Sequence, residues 1–166
     1  AALKSILAAA ETTTAYAACI ALIMAREQNL DLPCLKEVRK KLASGRSGMS
    51  FGDWANILNE ASTSKAAREV DLNSPLTAVQ EIARSAGFEE ARARLNKWRL
   101  DLSHNRGPSG MELGEAVESS FEDLVTLLDS AGPLSDLSLT HIEKAQLDTF
   151  SNETTVRFRD FSGDHP

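Results

Sequence analysis

Phe88-Glu89-Glu90-Ala91-Arg92-Ala93-Arg94-Leu95-Asn96-Lys97-Trp98-Arg99-Leu100-Asp101-Leu102 is the stretch whose reading decides the fold. Phe88, Ala91, Leu95, Trp98 and Leu102 return in alternating steps of three and four, which places them on one stripe of an α-helix. The spacing is the most regular in the chain, and the positions between carry Arg92, Arg94, Lys97 and Arg99. A helix of this kind buries one face against other helices and leaves its basic residues at the rim.

Working outward toward the N-terminus, Asn73-Ser74-Pro75 starts the preceding helix, with Ser as cap and Pro where its missing N–H costs nothing. That helix is expected to stop at Gly87, with the next beginning at Phe88. Ser50, followed by Asp53, opens a helix carrying Phe51, Trp54, Ile57 and Leu58. Gly45-Arg46-Ser47-Gly48 is a loop by composition, without the Gly-Lys-Ser/Thr ending of a P-loop. A short helix, Leu35 to Leu42, precedes it. The first long helix runs from about Leu3 to Glu27 on the stripe Leu3, Ile6, Leu7, Ala10, Thr14, Ala17, Ala21 and Met24, until Asn29 to Pro33 breaks it.

In the other direction, Asn105 to Gly110 reads as a turn and Ser109 with Glu112 as a capping box. The helix that follows runs to about Ser130 with Leu113, Val117, Phe121, Leu124 and Leu128 facing inward, and Gly132-Pro133 ends it. Beyond Pro133 the period changes to two. Leu137-Ser138-Leu139 and Thr154 to Arg159 alternate across the turn-prone Ser151-Asn152, the pattern of a β hairpin. The sequence therefore implies a mainly α fold, an antiparallel helical bundle over residues 1–132. A small C-terminal β hairpin over 133–166 reads as an extension or the start of a further domain.

Composition agrees. Ala and Leu dominate the apolar residues of this 166-residue chain, and one Tyr and two Trp are too few for a typical β sandwich. The net charge of −6 argues against non-specific binding to nucleic acid or membrane surface, leaving room only for a local basic patch. Cys19 and Cys34 form no Cys-x-x-Cys pair, so Cys19 reads as a small buried hydrophobe in a reducing, cytoplasmic setting. The apolar run Ala15 to Ala25 is too short to span a bilayer and reads as core. The termini suggest a piece of a longer protein, whose missing domains or a regulatory partner would complete it.

His104 follows Arg99 after four residues, where the helix yields to a turn, and Arg106 follows it. Trp98-Arg99-Leu100-Asp101-Leu102-Ser103-His104-Asn105-Arg106-Gly107-Pro108 resembles the Arg-x4-6-His signature of the HEPN superfamily of helical domains. The resemblance implies a homodimeric, metal-independent endoribonuclease in defence or toxin-like growth control, with Arg99 and His104 catalytic. His104 would move protons while the RNA 2′-hydroxyl attacks phosphorus, and Arg99 would hold the phosphate. Arg92, Arg94, Lys97 and Arg106 would contact the RNA backbone. No metal or cofactor is implied, because RNA brings its own nucleophile.

Active members of that family usually carry a polar residue directly after the Arg, whereas this chain has Leu100. The departure favours the other reading, a noncatalytic HEPN-like module for dimerisation or nucleic-acid binding. Arg99 and His104 are also open to a plainer role, as a surface pair at a helix end. His141 and His165 have no partners in sequence and read as incidental. A DNA-reading helical domain would need a basic surface contiguous across several helices.

Overall fold

The computed structural model of the protein describes residues 1–44, 48–68, 74–137 and 140–160, the side chains of Ala66, Pro75, His141 and Asp160 excepted. The molecule is mainly helical, with a two-stranded antiparallel hairpin near its C-terminus. The chain divides into two compact units, residues 1–132 and residues 133–166.

In the first unit, α1 (Ala2–Glu27) is the longest helix and the one the others gather around: it packs against α3 (Phe51–Thr63), α5 (Pro75–Arg84), α6 (Ala86–Ser103) and α7 (Leu113–Ser130). Its buried residues are Leu3, Ile6, Leu7, Ala10, Thr14, Ala17, Ala18, Ala21 and Ala25. The many alanines let neighbouring backbones approach closely, and Thr14 satisfies its buried hydroxyl by donating to the Ala10 carbonyl at 2.8 Å. An 18-residue window of α1 reaches a mean hydropathy of 1.6, long and apolar enough by composition to cross a bilayer. In this fold 33% of that window is buried against the surrounding helices. Cys19 is exposed rather than buried, because it falls just off the stripe defined by Ala17, Ala18 and Ala21.

Local signals set most helix ends. Ser50 and Asp53 form the expected capping box, each accepting the other's backbone N–H. Ser74 caps α5 by accepting the Leu76 N–H, with Pro75 in the first turn; Asn73 and the loop at 45–47 lie outside the described residues. The short α2 (Cys34–Ser44) buries Cys34 and Val38, and α4 (Lys65–Arg68) is a single turn. Cys34 sits beside Glu60, whose carboxylate accepts its backbone N–H; burial first, and Glu60 second, push the thiol up to about 12.

Three expectations need correction. The break between α5 and α6 falls at Ser85, not Gly87: Ser85 is extended (φ −63°, ψ 121°), ends α5 and caps α6 by accepting the Phe88 N–H. A serine hydroxyl that satisfies an orphan N–H outweighs the helix-breaking tendency of Gly87, which lies inside α6. Ser109 and Glu112 do contact, through the Glu112 carboxylate accepting the Ser109 N–H at 3.0 Å, but this closes a turn and α7 begins one residue later. The buried face of α7 is Ala116, Ser120, Asp123, Leu124 and Leu127; of the expected line Leu113, Val117, Phe121, Leu124 and Leu128 only Leu124 lies on it, so the face is rotated. Leu113, Phe121, Val125 and Leu128 are exposed.

In the second unit, β1 (Thr140–Asp148) pairs with β2 (Glu153–Asp160). The expected alternation in 154–159 and the turn at Ser151-Asn152 both appear, with Asn152 at φ 57°. The first strand, however, is Thr140–Asp148; Ser138 and Leu139 lie outside the described residues. Its sequence hid it, since a shift of register between Ile142 and Lys144 interrupts the period of two. Ile142, Ala145 and Leu147 share a face with Val156 and Phe158, and Glu143 meets Arg159 at 3.0 Å.

Candidate functional site

Arg99 lies on the last turns of α6 with its side chain 48% exposed, and its Nε donates to the Glu11 carboxylate of α1 at 3.2 Å. A small cleft opens beside it, lined by Lys4, Leu7, Glu11, Leu102 and Ser103. His104 is the residue that ends α6. Its N–H still donates to the Leu100 carbonyl at 3.1 Å, so it continues the helical turn. Five residues on from Arg99, it therefore lies about 140° round the helix. His104 is exposed and is not among the residues lining the Arg99 cleft. Within one chain the two members of the expected pair face different directions.

The text around His104 has a structural job. Asn105 takes a positive φ of 57° and donates to the Leu102 carbonyl, while Arg106 N–H donates to the Asp101 carbonyl at 2.7 Å. This is the helix stop in which a left-handed residue closes two crossed hydrogen bonds over the last turn. Asn29 ends α1 in the same way, with Leu30 N–H on the Ala25 carbonyl. Gly107 then passes so close to Leu102 that a Cβ would lie 2.9 Å from its Cδ2 methyl, so a larger residue there would have to displace the end of that side chain.

The expected backbone-contacting residues divide between two sides of α6. Arg92 lies seven residues before Arg99 and so nearly in line with it, about 10 Å away along the helix. Arg94 grips both carboxylate oxygens of Asp123 of α7, Nε donating to Oδ2 at 3.1 Å and Nη2 to Oδ1 at 2.8 Å, and also pairs with Glu90. Lys97 borders the same α6–α7 groove, where Asp101, Glu122 and Asp123 accompany it. Arg106 borders an adjoining groove beside Glu112 and Glu115. All five basic groups thus have a carboxylate nearby, Arg92 through Glu89 in its own cleft, and they do not form one continuous track. Such interleaving weakens attraction for a polyanion.

Two features went unread in the sequence. One is a cleft between α3 and α6 in which Arg92 sits with several asparagines; Asn56 and Asn59 on one wall lie some thirty to forty positions from Arg92 and Asn96 on the other, so no local signal joins the two walls. The other is the outer face of α7, apolar and exposed. No group of three or more His, Cys, Asp or Glu among the described residues is arranged to hold a metal ion. Comparison with protein-family models, with curated proteins and with solved structures gave no match.

Proposed function

We propose that this chain is a noncatalytic association module, a helical bundle that pairs with a second copy through the outer face of α7. The observation that carries the reading is the exposed stripe Leu113, Phe121, Val125 and Leu128, each 40% or more exposed, with half-buried Val117 continuing it. At helical spacing these residues form one apolar band beside the buried face. A band of this length on a chain rich in charge marks a protein contact more often than idle surface. Leu100 after Arg99, and the helix-ending role of the His104–Arg106 segment, support the same reading. Light scattering at micromolar concentration should return roughly twice the monomer mass, and Phe121→Glu with Leu128→Glu should return the monomer while leaving the helical circular dichroism unchanged. Glu118, Glu122 and Asp129 edge the band, and α7 carries no Lys or Arg, so added salt should tighten the dimer by screening repulsion. A wild-type monomer across that range overturns the reading.

The second reading, RNA cleavage, is favoured by one observation: Arg99 and His104 are both solvent-accessible at the same end of α6. It requires cleavage of single-stranded RNA in EDTA, with 2′,3′-cyclic phosphate products. His104→Ala should then cost on the order of 10²–10⁴ in rate. Leu100→Asn should raise activity. Absence of cleavage by the wild type removes it.

A further inference from the structure

We propose that the cleft between α3 and α6 binds a small zwitterion of the α-amino-acid class, its carboxylate on Arg92 and its ammonium group on Glu89. The cleft has a volume of about 330 Å³. This lies at the small end of the range for ligand pockets and suits a single amino acid better than a polymer. Its polar wall consists of Asn56, Asn59, Glu89, Arg92 and Asn96, and its floor of Leu58 and Phe88, both buried.

On α6, Arg94 is bound by Asp123 and Glu90, and Arg99 by Glu11. Arg92 is the half-buried one of the three, yet it has no hydrogen bond or ion pair to any described residue. Burial disfavours its charge, and Glu89 opposes that only through space. A desolvated guanidinium without an acceptor is costly, and its fork of donors matches a carboxylate. The side-chain amides of Asn59 and Asn96 are likewise unengaged among the described residues, whereas Asn56 donates to Glu60 at 3.3 Å. One cation, one anion and two free amides therefore converge on a cleft with an apolar floor.

The charge balance selects the ligand. A phosphate would meet Arg92 but be repelled by Glu89, one helical turn away. A zwitterion satisfies both, and its side chain can lie over Leu58 and Phe88. Gly52 also lines the cleft, and a Cβ there would meet nothing closer than the Ser50 hydroxyl at 3.8 Å.

The test is an NMR titration of the whole chain with L-leucine and L-glutamine at millimolar concentration. N-acetyl-L-leucine lacks the ammonium group, L-leucinamide lacks the carboxylate, and inorganic phosphate is the plain anion. The expected result is perturbation of the Asn59, Arg92 and Asn96 backbone amides by at least one free amino acid. Each blocked analogue, and each of Arg92→Gln and Glu89→Gln, should weaken binding by about tenfold or more, as loss of a charged hydrogen bond does. Circular dichroism checks the fold of both variants; if Arg92→Gln does not fold, Glu89→Gln and the blocked analogues still decide. No response to either amino acid overturns the proposal. Equal binding of phosphate or N-acetyl-leucine, or tighter anion binding by Glu89→Gln, overturns it in favour of a simple anion site.

Discussion

Asp53 shows how one side chain can make helix stability depend on pH. Burial alone would raise its pKa, but hydrogen bonds from the Lys41 ammonium and from the Ser50 N–H and hydroxyl, the last two at 2.8 Å, outweigh that and hold the carboxyl below its ordinary range. A depressed folded-state pKa means that the stabilisation is fully present above the unfolded value of about 3.9 and is lost as pH falls through the folded one. Urea denaturation should show the wild type losing its advantage over Asp53→Ala as the solution is acidified below the ordinary carboxylate range. At neutral pH the variant should be less stable by about 1 kcal/mol, the usual worth of a cap. An equal gap at all pH values would refute the assignment. At this scale the sequence was a good guide wherever partners are two or three residues apart, as at Ser74–Leu76 and Ser50–Asp53. It misled at Ser85, where two local rules competed within three residues; at His104 a chemical motif and a helix stop share the same letters.

Among the elements, α6 and α7 are joined by the Arg94–Asp123 fork. Asp123 is only 8% exposed, so removing its partner leaves a carboxylate with little access to water. Arg94→Ala should cost about 1–3 kcal/mol, and Asp123→Asn should cost less because the amide can stay neutral in place. Thermal denaturation of the two variants checks the order, and equal losses would mean that the guanidinium contributes packing alone. Neither partner was legible as a pair in the sequence, being 29 positions apart. The orientation of α7 was illegible for a related reason. Two apolar arcs overlap on it at Leu124, Ala116–Ser120–Leu124–Leu127 and Leu113–Val117–Phe121–Leu124–Leu128, and periodicity ranks the bulkier one first. The bundle takes the arc with smaller residues, because Ala116 and Ser120 let α7 come close to its neighbours. Ser120 leaves its buried hydroxyl without a hydrogen-bond partner, a further sign that size rather than polarity set the contact.

Over the whole molecule, fold class was readable because helical periodicity and turn residues are local, and both dominate this chain. The second unit was harder, since one strand hid behind a bulge. Its described residues from Thr140 to Arg159 are exposed wherever a side chain is described, including Ile142, Leu147, Val156 and Phe158. A two-stranded hairpin by itself is marginal in water. Hydrogen exchange on the whole chain should therefore show amides of Thr154 to Phe158 slower than an unfolded peptide but well faster than those of α1 and α6. Protection equal to that of α6 would mean that both units open as one.

The central place of α1 has a consequence for synthesis. The helix leaves the ribosome ahead of every element that covers it, and α7, one of its principal neighbours, ends more than a hundred residues later. At translation rates of about 5–20 residues per second, its apolar stripe waits on the order of ten seconds for cover. During that interval the helix is a natural client for a chaperone, and codon changes that slow the stretch between α3 and α7 should lower soluble yield without altering a single residue of the finished protein.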